Sequence, residues 1–154
     1  MRIPLLCLVA VLSARAEFRS IEMGVSGLDC ASCAGSVERV LRKIRGVESA
    51  SFDNEKRVAR LELAAGNRAR LQDIRDALKQ IGYTPVEARG IAIGSVASEG
   101  GRWRLDLGGG RFCLLEGGDA ARWSGKTVRV EGAIPPPAAP GEPDVLRIGT
   151  IQAE

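Results

Sequence analysis

The chain has 154 residues, enough for one medium domain or two small ones, and its 45% apolar and 27% charged content is that of an ordinary globular protein. Lys and Arg number 22 against 19 Asp and Glu, a net charge of +3 that is too small to indicate nucleic acid or an anionic membrane surface as the partner. There is no His, and no nucleophile–base pair shows itself, so catalysis is not expected.

Residues 1–16 have the pattern of a secretory signal peptide. Arg2 supplies the positive start, residues 3–12 are apolar apart from Pro4, and Ala14-Arg15-Ala16 places small residues where a signal peptidase reads. The apolar run falls short of the ~20 residues that span a bilayer as a helix. Cys7 comes too early for a lipoprotein signal and lacks small residues before it. The expectation is export to a periplasmic or extracellular space with cleavage after Ala16 and no stable membrane anchor afterwards; the alternatives are a buried N-terminal strand or an uncleaved anchor. Cleavage removes Arg2 and Arg15, taking the 22 basic residues to 20 against 19 acidic ones, and it removes Cys7, leaving Cys30, Cys33 and Cys113. Three thiols do not make a disulfide framework.

Residues 19–25 alternate, with Ile21, Met23 and Val25 apolar, and predict a strand. Then comes Gly27-Leu28-Asp29-Cys30-Ala31-Ser32-Cys33-Ala34. Cys33, Val37, Val40, Leu41 and Ile44 recur at helical spacing behind it, which predicts a helix over about 31–44, ended by Gly46. The two thiols therefore sit where a loop meets a helix N-terminus, a setting that favours the thiolate, the form that binds metal or attacks a disulfide. Residues 47–52 predict a second strand, residues 53–56 a turn and residues 57–63 a third strand. Asn67 is a candidate N-cap for a second helix whose apolar stripe is Leu71, Ile74, Leu78 and Ile81; Gly82 ends it, and residues 83–88 predict a fourth strand. The order strand, helix, strand, strand, helix, strand predicts a ferredoxin-like βαββαβ domain over residues 17–89, with both helices on one face of a four-stranded antiparallel sheet.

Gly27-Leu28-Asp29-Cys30-Ala31-Ser32-Cys33, followed by Gly46-Val47 and Gly82-Tyr83, resembles the heavy-metal-associated domain. That module occurs in copper chaperones, mercury-binding periplasmic proteins and the N-terminal arms of metal-exporting P-type ATPases. Leu28 stands where the family usually has Met, a side chain that packs under the loop. The resemblance implies that Cys30 and Cys33 are metal ligands, with Leu28 and Tyr83 around them, and that the partner is a metal-transporting or metal-accepting protein domain. Two thiolates suit a soft ion. Cu(I) and Hg(II) accept two sulfurs, whereas Zn(II) and Cd(II) want four ligands, and Asp29 could assist these. In the family, an Asp before the first Cys is typical of divalent-metal exporters, whereas Tyr at the position of Tyr83 is common in bacterial copper chaperones. Copper is slightly favoured, as cargo of an exported carrier. Alternatives stay open at this point: a divalent ion, a loop acid at Asp29 that only caps the helix, a Tyr83 that only packs, and a thiol–disulfide redox protein. Arg39, Arg42, Lys43 and Arg45 form a basic helix face that reads as solvated surface or as a docking face for an acidic partner.

From Gly90 the composition changes: glycine is frequent and short alternating runs replace helical periodicity. Residues 91–98, 103–107, 111–115, 126–132 and 145–151 predict five strands, with a helical turn at 119–123 capped by Asp119 and a stiff proline-rich loop at 135–141. Residues 90–154 thus predict a small all-β, OB-like barrel. Trp103, Phe112 and Trp123 are expected in its core or rim, and Cys113, flanked by Phe112 and Leu114, as a buried thiol.

Overall fold

The computed structural model describes residues 15–27, 30 and 32–154. Most of the expected signal peptide, and the Leu28 and Asp29 readings, fall outside the described residues.

The first half has the expected order: β1 (Glu17–Ser26), α1 (Cys33–Arg42), β2 (Val47–Asp53), β3 (Val58–Leu63), α2 (Leu71–Gln80) and β4 (Thr84–Glu99). Its strands lie in the order β2-β3-β1-β4, all antiparallel. Period-two alternation sends Ile21, Met23 and Val25 to one face of the sheet, and all three are buried there. Val37 and Leu41 of α1 and Leu71, Ile74 and Leu78 of α2 are buried in the same core. This is the ferredoxin-like arrangement that the order of elements predicts.

Two local expectations change. Asn67 is not the N-cap of α2; that position is Arg70, and the helix begins at Leu71. The Asn67 side chain instead accepts from the Ala69 amide at 3.1 Å and donates to the Phe18 and Ala64 carbonyls at 2.8 and 2.9 Å. A buried amide satisfies its hydrogen-bonding groups by fixing the loop before the helix, and the capping preference yields to that demand. Asp119 does hold the N-cap position of the expected helical turn, a 3-10 turn (Ala120–Trp123), but makes no side-chain capping bond.

The strands expected at 83–88 and 91–98 are a single 16-residue strand, β4, with Gly90 in its interior. One edge of β4 pairs with β1 as far as Ile93 and then, from Ser95, with β5 (Arg102–Asp106); the other edge pairs with β7 (Thr127–Ile134) from Ala88 to Ser95. Gly94 sits at the changeover from β1 to β5, where a Cβ would run into the Asp106 carbonyl. With β6 (Phe112–Glu116) and β8 (Val145–Ala153), the order β4-β5-β6-β8-β7 closes back on β4 as a five-stranded barrel. β6 and β8 run parallel and the other barrel pairs antiparallel. β4 therefore belongs to both sheets, and one contiguous apolar cluster runs from Val37 and Leu61 through Ala92 to Val128 and Leu146. Trp103 and Trp123 pack against it, while Phe112 is a rim residue, 36% exposed, with the Arg104 guanidinium 5.4 Å from its ring centroid. Among the described residues no helix is long and apolar enough to cross a membrane.

Candidate metal centre

The thiol pair is presented by the end of β1 and the start of α1. Gly27 has φ of +87°, a left-handed conformation that glycine adopts without steric cost, at the point where the chain leaves β1. Cys33, where the apolar spacing begins, is the first residue of α1, two residues after the start expected for the helix. The Cys33 amide donates to the Cys30 carbonyl at 3.2 Å, so a tight turn brings the two residues together. Their Cα atoms are 5.5 Å apart, and the sulfurs are joined in a disulfide. Cys30 is exposed and Cys33 half-buried, and the Ser32 hydroxyl donates to the Cys30 sulfur at 3.5 Å.

Reduced, the pair offers two adjacent sulfurs at a helix N-terminus, open to solvent on the Cys30 side. Among the described residues there is no group of three or more His, Cys, Asp or Glu side chains able to hold a metal. The donor set described is thus two soft ligands, which fits an ion content with two sulfurs. An oxygen from Asp29 would have to come from outside the described residues.

Tyr83 follows Gly82 at the start of β4, half-buried against the core. The Gly82 carbonyl lies beside Gly27, and the Ser26 hydroxyl donates to the Thr84 carbonyl at 3.4 Å, so the α2–β4 turn stands next to the thiol loop. Among the described residues no hydrogen bond joins the Tyr83 hydroxyl to either sulfur, and its observed role is packing. Cys113 lies apart from this loop, as a free buried thiol in β6 of the barrel. Burial pushes its pKa up to about 12, so it keeps its proton. The basic face of α1 is partly spent: Arg42 donates to Glu38 and to the Ala50 carbonyl, both at 3.1 Å. Sequence reasoning missed Arg75, which is buried on α2 and paired with Asp144 at 2.7 Å. A charge inside an apolar stripe was the available signal.

A model of the heavy-metal-associated domain matches residues 22–84. A solved CopZ metallochaperone is 27% identical, with 44% of this chain and 98% of that one covered and a TM-score of 0.41. A copper binding domain from a P-type ATPase is 30% identical over 44% of this chain and 89% of its own, with a TM-score of 0.40. None of the curated proteins matches the chain. Residues 22–84, with the Cys30–Cys33 loop at their start, are a heavy-metal-associated domain, and through them the chain belongs to that family.

Proposed function

We propose that the protein is an exported, non-enzymatic carrier of a soft metal ion, with Cu(I) the preferred cargo. The observation that carries this is the exposed Cys30 beside the half-buried Cys33 at the start of α1, within the family match. Two sulfurs and no third donor among the described residues suit an ion that is satisfied with two thiolates, while zinc or cadmium needs further ligands. Loading requires reduction of the disulfide, which takes two electrons and two protons from a dithiol that is itself oxidised to a disulfide, followed by loss of the two thiol protons to solvent as the thiolates bind the metal. The exposed sulfur supports transfer, because an incoming thiolate from a partner domain can reach an ion held there. Export is read from the pattern of residues 1–16. The barrel is read as OB-like, from its closed order of strands and the 3-10 turn between β6 and β7.

Competition titration of the reduced mature protein tests the site. The expected result is binding of one Cu(I), lost on Cys30→Ser with Cys33→Ser; undiminished affinity in that double variant would refute it. Asp29→Ala separates the metals. Copper carriage predicts weak divalent binding and little effect of the substitution on Cu(I). Tight zinc binding that falls about tenfold in Asp29→Ala, on the order of 1.4 kcal/mol, would reverse the order of preference. The disulfide supports a second reading, thiol–disulfide exchange. That reading requires the reduced protein to transfer electrons to a model protein disulfide faster than a simple dithiol does.

A further inference from the structure

Four arginines meet at the end of the first domain remote from the thiols. Arg45 comes from the turn after α1, Arg68 and Arg70 from the loop before α2, and Arg111 from the β5–β6 hairpin of the barrel. They line an open cavity of about 590 Å³ together with Gly109 and one acid, Asp73, whose carboxylate is 3.6 Å from Arg70. Arg45 and Arg68 are exposed and have no ion-pair partner among the described residues.

The cluster is held in place. The Asn67 amide fixes the loop that carries Arg68 and Arg70, through its bonds to Phe18, Ala64 and Ala69. Gly46 lets the turn after α1 press against that loop; a Cβ there would lie 2.8 Å from the Asn67 Cβ. The Arg111 guanidinium donates to the Leu107 carbonyl at 2.9 Å, to Gly108 and Ala69 at 3.3 Å and to Asn67 at 3.4 Å. Arg111 thus contributes a fixed positive charge, and Arg45 and Arg68 contribute exposed forks. Burial and the neighbouring Arg68 and Arg70 hold the Arg111 pKa below its ordinary value, a sign of repulsion that an anion would relieve.

We propose that this cavity binds a compact multivalent oxyanion of the phosphate class. Guanidinium forks match tetrahedral oxyanions in shape, and several around one cavity suit a multiply charged ligand better than a single carboxylate. Arg70 is the N-cap of α2, so the positive end of that helix faces the same cavity. α1 separates the cluster from the thiols by ten residues, about 15 Å of helix, so metal and oxyanion can be held together. Because Arg111 and Gly109 belong to the barrel hairpin, the oxyanion would join the barrel to the metal-binding domain.

Calorimetric titration of the full chain with pyrophosphate in metal-free buffer tests this, alongside thermal melting. The expected result is saturable one-to-one binding and a raised melting temperature. Arg45→Ala with Arg68→Ala should weaken binding at least about tenfold. The double Lys variant, which keeps the charges and loses the forks, should bind more tightly than the double Ala variant and less tightly than wild type, and Arg122→Ala, an exposed arginine outside the cluster, should bind as wild type. The proposal is overturned by absence of saturable binding, by wild-type affinity in the double Ala variant, or by a hexaglutamate peptide binding as tightly as pyrophosphate.

Discussion

Burial separates Cys113 from Cys30 and Cys33. Its side chain sits in β6 against the barrel core, and its pKa of about 12 compares with 9.0 for a free thiol. The unfolded chain releases this proton near pH 9 while the folded chain retains it. The contribution to stability is therefore complete below pH 9 and is lost as the pH rises from there toward 12. Cys113→Ala should flatten the fall in denaturation midpoint over that range, whatever it does to stability at neutral pH. Equal slopes for the two proteins would show that the thiol titrates alike folded and unfolded. The same burial predicts that alkylation of the reduced native protein, read by mass spectrometry, labels Cys30 and Cys33 and spares Cys113 until denaturant is added.

Elements are tied together by polar groups as well as by apolar packing. Arg75 lies on the buried side of α2, 4% exposed, and its charge is met by Asp144 in the loop leading into β8. Two of its nitrogens, Nε and one Nη, are buried without a partner, so the carboxylate is the main compensation for bringing that guanidinium inside. Asp144→Ala should cost about 3 kcal/mol by leaving the charge buried and unpaired. Arg147 and Glu116 make a contact of the same length, 2.7 Å, but are 55% and 59% exposed, and Glu116→Ala should cost less than about 1 kcal/mol. Urea unfolding of both variants gives the comparison; similar losses would mean that Arg75 reaches water when Asp144 is removed.

The whole molecule shares one strand and one core. β4 carries the edge of the ferredoxin-like sheet and closes the barrel, and Ala88, Ala92 and Val96 pack in the common cluster. Unfolding either half strips partners from the other half's longest strand, which predicts a single cooperative transition. Two reporters make this testable. Both tryptophans, Trp103 and Trp123, lie in the barrel half, and both α-helices among the described residues lie in the first half. Tryptophan fluorescence and far-ultraviolet circular dichroism should therefore give coincident denaturation curves. Two separated midpoints would show that the halves unfold independently despite the shared strand.

The reach of the sequence ends where contacts between distant segments begin. Local pattern was enough for the first half: alternation at Ile21, Met23 and Val25, helical spacing from Cys33 and Leu71, and glycine at 46 and 82 all act within a few residues, and each agrees with the fold that forms. The candidate thiols were legible for the same reason, since a Cys-x-x-C turn into a helix is built from neighbours. Gly90 was misread as a break between strands because glycine carries no local strand preference; pairing with β1 on one edge and β7 on the other supplies what the residue lacks. Asn67 carried a capping signal that two hydrogen bonds within its own loop and one tertiary hydrogen bond to Phe18 redirected. The arginine cavity was beyond local reading altogether: Arg45, Arg68 and Arg111 are far apart in sequence, and only packing of the barrel hairpin against the loop before α2 brings their charges to one place; for Arg75 the charge inside an apolar stripe was legible, but its partner Asp144, 69 residues on, was not.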